Sequence, residues 1–170
     1  MPRLQFSLVH FFTLTVLIPL GLWLGYGMAS LPAWLEQLTV PLRVLGITSG
    51  AIGLWMVTEV LWLFMRPRPS TPNAVQTPRP IMSIRGIYRR LRNPYKLGVV
   101  LILVGEGLFM LSDYMLSWAV VIFAFSLWVV TALDEPRLTR LYGADYHHYC
   151  QHVPRWLPRR TLWKPPQHMQ

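Results

Sequence analysis

The sequence predicts an all-α membrane protein with four transmembrane helices, the last two a hairpin, plus a bent C-terminal interfacial helix. Three observations carry this. The 170-residue chain is 53% hydrophobic and only 14% charged, with a mean hydropathy of +0.35, whereas soluble domains are about one quarter charged. Its apolar residues gather into runs long enough for the roughly 20 residues that cross a bilayer. Its basic residues cluster beside those runs, as the inside-positive bias requires.

The first run, Phe6 to Ala29, is longer than the apolar region of a typical signal peptide. It reads as a retained span, although "GMASLPA" has the small residues of a cleavage site. Leu42 to Met65 is the second span. Gly21 with Gly25, and Gly46 with Gly50, are GxxxG pairs, which let helix backbones approach closely in lipid. The 37-residue run from Leu97 to Leu133 is too long for one helix and slightly short for two full spans. Broken at Ser112-Asp113, it reads as a hairpin of Leu97–Leu111 and Tyr114–Leu133, the first arm short for a full crossing. The organisation is therefore two N-terminal spans (residues 1–65), a basic loop (66–96), the hairpin (97–133) and a C-terminal helix and tail (134–170).

Charge orients these elements. Residues 66–96 hold eight basic side chains, Arg66, Arg68, Arg79, Arg85, Arg89, Arg90, Arg92 and Lys96, and no acidic one. The tail adds six more against Asp134, Glu135 and Asp145. Four spans with both termini and the basic loop in the cytoplasm satisfy this pattern, and a bacterial inner membrane fits better than endoplasmic reticulum. The formal net charge of +9 is accounted for by membrane lipids rather than nucleic acid. The loop opens with five prolines in "RPRPSTPNAVQTPRP", so it is an extended strap. Beyond Leu133, Leu138, Leu141, Tyr142, Tyr146, Tyr149 and Val153 recur at helical spacing. Pro136 suits the first turn of that helix, and Asp134 and Glu135 suit its positive end.

A single cysteine, Cys150, excludes an internal disulfide and any CxxC motif. His148 and His152 have the i, i+4 spacing of a metal pair, but no third ligand or HExxH pattern accompanies them, so no metal site is assigned. Carboxylates at membrane depth are costly and mark function by default. Glu59 lies close enough to the end of its span to reach the interface or pair with a loop arginine. Glu106, mid-way along the hairpin's first arm, is the sharper catalytic candidate; its alternative is a hydrogen-bonded contact between helices.

Gly86-x-Tyr88, Arg92-Asn93-Pro94, Gly98 opening the hairpin, Asp134-Glu135-x-x-Leu138 and "YGADYHHYCQHVPRWLP" at 142–158 form an ordered set. It resembles the integral-membrane methyltransferase superfamily that includes isoprenylcysteine carboxyl methyltransferase and phospholipid N-methyltransferases, over about half the chain, Thr77 to Pro158. The resemblance implies S-adenosylmethionine bound at the cytoplasmic face and a methyl group passed to a hydrophobic or lipid-borne acceptor. It places cofactor contacts at Tyr88, Arg92, Asn93, Pro94, Tyr95, Lys96, Gly98, Asp134 and Glu135, with backbone contacts around Pro80 to Ser83. Lys96 stands where the family carries a tyrosine, with Tyr95 beside it; Ile87 and Asp134 are further departures. Prenylcysteine enzymes carry an arginine one turn before the acidic pair. Here that position is Val130, which argues for another acceptor and leaves Arg137 as a compensating catalytic candidate. The same scaffold also admits an NADPH-dependent reductase, or a non-catalytic subunit with a membrane-protein partner.

Overall fold

A computed structural model describes Thr13 and residues 17–26, 37–66 and 84–167. Every regular element among them is helical. The predicted first span is described only in part, as α1, Ile18–Tyr26. The proline-rich strap after Arg66, including Pro80 to Ser83, lies outside the described residues.

The second predicted span is α2, Thr39–Met65, 27 residues. It starts one turn before the predicted Leu42, because Pro41 sits in the first turn, where backbone N–H groups have no intrahelical acceptor anyway. The N–H of Leu42 closes that turn on the carbonyl of Leu38 at 2.9 Å. At the other end the Arg66 guanidinium lies 4.8 Å above the Trp62 ring, a cation–π contact at the foot of the helix.

α3, Pro94–Met110, starts on a proline, the residue preorganised for a first helical position. It stops at Leu111, whose φ of 54° leaves the helical region. The buried Ser112 then turns the chain: its N–H donates to Gly107 O at 3.0 Å, and its hydroxyl accepts from the N–H of Met115. α4, Asp113–Val129, follows, so the run predicted as a hairpin is two helices joined by a turn at 111–112.

The predicted break after Leu133 takes a different form. α4 passes through a π-helical turn, Val130–Asp134, into α5, Glu135–Tyr142. The wider turn places the Glu135 N–H on Val130 O and accommodates Pro136, which has no N–H and whose ring crowds the carbonyl four residues back. The predicted single C-terminal helix is divided into α5 and α6, Ala144–His152. Gly143, at φ 57° and ψ −124°, divides them, in a conformation that only glycine adopts cheaply.

Two helical stretches, Thr39–Met65 and Asp113–Tyr142, are long and apolar enough to cross a membrane. Only 28% and 22% of their most apolar windows are buried. Val44, Ile47, Ile52 and Trp55 of α2, and Val120, Val121 and Phe125 of α4, are exposed. A soluble core helix would be covered; these faces suit lipid.

The chain divides into two compact units, Met1–Trp55 with Lys96–Ala124, and Met56–Tyr95 with Phe125–Gln170. In the first, α2 and α3 meet backbone to backbone. A Cβ on Gly46 would lie 2.8 Å from Gly105 O, and one on Gly105 2.7 Å from Gly50 N. Ser49 Oγ donates to Leu101 O at 2.9 Å across this seam. The Gly46–Gly50 pair therefore packs helices, as predicted. In the second unit Ile84, Tyr146, Tyr149, Val153 and Trp163 form a core flanked by Tyr88, Leu138, Tyr142 and Cys150.

Candidate functional site

The second unit contains a cleft of about 360 Å³, within the roughly 300–1,000 Å³ of small-molecule sites. One wall begins with a 3₁₀ turn, Gly86–Arg89. Gly86 has φ 53°, and a Cβ there would lie 2.7 Å from the Leu63 side chain. Glycine suits both the left-handed φ and the close packing of this turn against the end of α2, and Tyr88 of the same turn lines the cleft. Arg92 and Asn93 follow on the same wall, and Asp134, Glu135 and Leu138 face them from the α4–α5 junction. Leu63 and Phe64, from the end of α2, and Tyr142, Tyr146 and Tyr149 complete an apolar and aromatic lining.

The residues after α6 lace the wall together. The Arg92 N–H donates to Pro154 O at 2.9 Å, Arg159 N–H to Arg90 O, and Trp163 N–H to Arg89 O. Arg89 Nε returns a bond to Trp163 O at 2.7 Å. Trp163 itself is buried, 5.7 Å from the Tyr149 ring. The Tyr149 hydroxyl donates to Tyr88 O at 2.8 Å.

Charge in the cleft is arranged around Glu135. Arg155 grips it with both edges of its fork, Nε to Oε1 and Nη2 to Oε2, each at 2.7 Å. Arg92 Nη1 donates to Glu135 Oε1 at 3.1 Å and to Cys150 Sγ at 2.8 Å. The Nε of Arg92 is buried with no hydrogen-bond partner among the described residues. The hydrogen bonds and charge of Glu135 hold the Arg155 guanidinium even more firmly protonated. Burial pushes the Tyr88 hydroxyl up to about 12. Burial also raises Tyr146, with the Cys150 sulfur adding to it, and Tyr149, with Tyr88 adding to it. These phenols stay neutral at physiological pH and can donate hydrogen bonds.

Of the residues singled out from sequence, Tyr88, Arg92, Asn93, Asp134 and Glu135 line this one cleft. Pro94, Tyr95, Lys96 and Gly98 do not line it: Pro94 begins α3, and Gly98 belongs to the close approach with Gly53 in the first unit. Glu106 sits on α3 in the first unit, its Oε2 buried and unpartnered among the described residues. Arg137 lines a separate depression with Arg140, Leu133 and Leu141. The rings of His148 and His152 stand 4.4 Å apart, and His152 Nδ1 bonds the carbonyl of His148. Leu63, Phe64 and Arg155 carry no site signal in the sequence: the first two continue the apolar run of α2. Arg155 lies in the quoted 142–158 stretch, as the last residue of Val153-Pro154-Arg155, and its spacing says nothing of a partner.

A family model described as phospholipid methyltransferase matches residues 42–145, more than half of the 170. The chain belongs to the phospholipid methyltransferase family. Among curated proteins and among solved structures, none matches significantly. The matched residues run from the first turn of α2 to the start of α6 and take in both facing walls of the cleft, whereas the lining residues Tyr146 and Tyr149, and Arg155 and Trp163, lie beyond them. Family and apolar helices together make this a membrane methyltransferase, as the ordered motifs implied.

Proposed function

We propose that the protein transfers a methyl group from S-adenosylmethionine to a hydrophobic or lipid-borne acceptor, with the cleft of the second unit holding the methyl donor. The observation that carries this is the lining itself: both signs of charge, neutral phenols and an apolar wall in one cleft. S-adenosylmethionine presents a carboxylate, an ammonium, ribose hydroxyls and a flat base, and that donor set suits it. The buried, unpartnered Nε–H of Arg92 is costly unless something accepts it, and a polar guest supplies an acceptor.

The cofactor brings an already activated methyl on a sulfonium, so the chain needs no covalent nucleophile. Its residues have three tasks: to bind, to orient the acceptor in line and to keep water out. Arg92 and Asn93 suit an anionic group, Asp134 a cationic or hydroxyl group, and Tyr88 and Tyr146 a hydrogen-bonding edge. Leu63 and Phe64, at the end of an apolar span, suit the hydrocarbon part of an acceptor. This reading gives Glu106 and Arg137 no step. Four spans with both termini in the cytoplasm, in a bacterial inner membrane, complete the proposal.

Isothermal titration of the detergent-solubilised protein with S-adenosylhomocysteine and with NADPH tests it. Binding of the first alone is expected. Binding of NADPH alone would replace the reading with a reductase, and binding of neither with a non-catalytic subunit.

A further inference from the structure

We infer that Arg155 is a positioning residue for the cleft, acting through Glu135 to hold Arg92 in place. The inference deepens the proposed cofactor site and rests on that reading for its consequence in binding. Arg155 is not among the residues lining the cleft. It reaches Glu135 from outside, with its side chain 45% exposed against 17% for Glu135 and 11% for Arg92.

A carboxylate on a flexible stem takes many orientations, and a guanidinium fork that bonds both oxygens fixes its plane. Glu135 meets this condition from Arg155, at 2.7 Å on each oxygen, and receives only one longer bond from Arg92. Arg92 then hangs between Glu135 and Cys150 through a single nitrogen, Nη1, with its Nε left over. Setting Glu135 therefore sets Arg92. Arg155 is itself anchored: Asn93 Nδ2 donates to its carbonyl at 3.4 Å, and the preceding Pro154 accepts the Arg92 N–H.

The test uses the full-length protein in detergent, as wild type, Arg155→Ala and Arg155→Lys, with two readouts. The first needs no cofactor. Cys150 is the only cysteine of the chain, Arg92 donates to its sulfur at 2.8 Å, and a positive charge beside a sulfur speeds its alkylation. Without Arg155, Glu135 draws Arg92 off the sulfur, so iodoacetamide alkylation near neutral pH is expected to slow by about threefold. Simple loosening of the fold would expose the thiol and speed the reaction. The second readout is the dissociation constant for S-adenosylhomocysteine, expected to rise about tenfold in Arg155→Ala, with Arg155→Lys between because an ammonium lacks the fork. Faster or unchanged alkylation in Arg155→Ala overturns the inference. Should that variant not fold, unchanged alkylation and affinity in Arg155→Lys overturn it instead. If wild type binds no S-adenosylhomocysteine yet alkylation still slows, the positioning role stands and the cofactor reading fails.

Discussion

The hydroxyl of Tyr149 donates to the backbone carbonyl of Tyr88 at 2.8 Å, joining residues 61 positions apart. It ties α6 to the 3₁₀ turn that forms one wall of the cleft. Tyr149→Phe keeps the ring and its contact with Trp163 but leaves that carbonyl without its partner. The expected loss of stability is about 1–2 kcal/mol, measured by unfolding in detergent. Weaker S-adenosylhomocysteine binding should accompany it, since Tyr88 is no longer held. Unchanged stability would show that the bond contributes nothing.

Cofactor binding should separate cleft residues from neighbours. Tyr88→Ala and Asp134→Ala are each expected to raise the dissociation constant for S-adenosylhomocysteine about tenfold or more. His147→Ala, an exposed change on α6, should leave it unaltered. Equal effects across the three would sink the assignment of the cleft.

Alkaline pH probes the buried phenols. Tyr88 is moved from an ordinary value of 10.0 up to about 12 by burial, so its neutral form is the one the fold favours. A raised value means a stabilisation fully present below pH 10.0 and lost as pH climbs through about 12. Tyr146 and Tyr149 act in the same direction. For Tyr88 alone the loss amounts to about 2–3 kcal/mol. The unfolding midpoint should therefore fall over this window, and Tyr88→Phe should flatten the fall. A wild-type profile that stays level would contradict the burial of these groups.

The glycine seam of the first unit predicts a contrast between neighbours. Gly46→Ala places a Cβ 2.8 Å from backbone atoms of α3, which side chains cannot relieve, at a cost of about 1–3 kcal/mol. Gly50→Ala meets nothing within 4 Å and should change stability by no more than about 0.5 kcal/mol. Thermal unfolding of the two variants side by side checks it; equal destabilisation would place the seam elsewhere.

Much of the architecture is legible in residue order. Hydropathy and length locate α2 within one turn, and the polar Ser112-Asp113 step locates the turn between α3 and α4. These are local sums, in which each residue contributes irrespective of distant partners. The π turn at Val130–Asp134 was not legible, because it reconciles Pro136 with a helix that packing keeps continuous. The split at Gly143 was hidden for a related reason: the stripe from Leu138 to Val153 keeps helical spacing across it.

Residue order alone fixes an apolar, helical chain with its basic residues clustered beside the apolar runs and with the ordered motifs of a membrane methyltransferase family, because hydropathy, charge bias and motif order are one-dimensional. Tertiary structure alone decided which motif residues share a cleft. It gathered Tyr88, Arg92, Asn93, Asp134 and Glu135, and left Tyr95, Lys96 and Gly98 out of the lining. It also closed Arg155 onto Glu135 across 20 residues and Arg92 onto Cys150 across 58. Hydrogen bonds and ion pairs act over a few ångströms in space, and spacing along the chain carries no record of which side chains the fold brings that close.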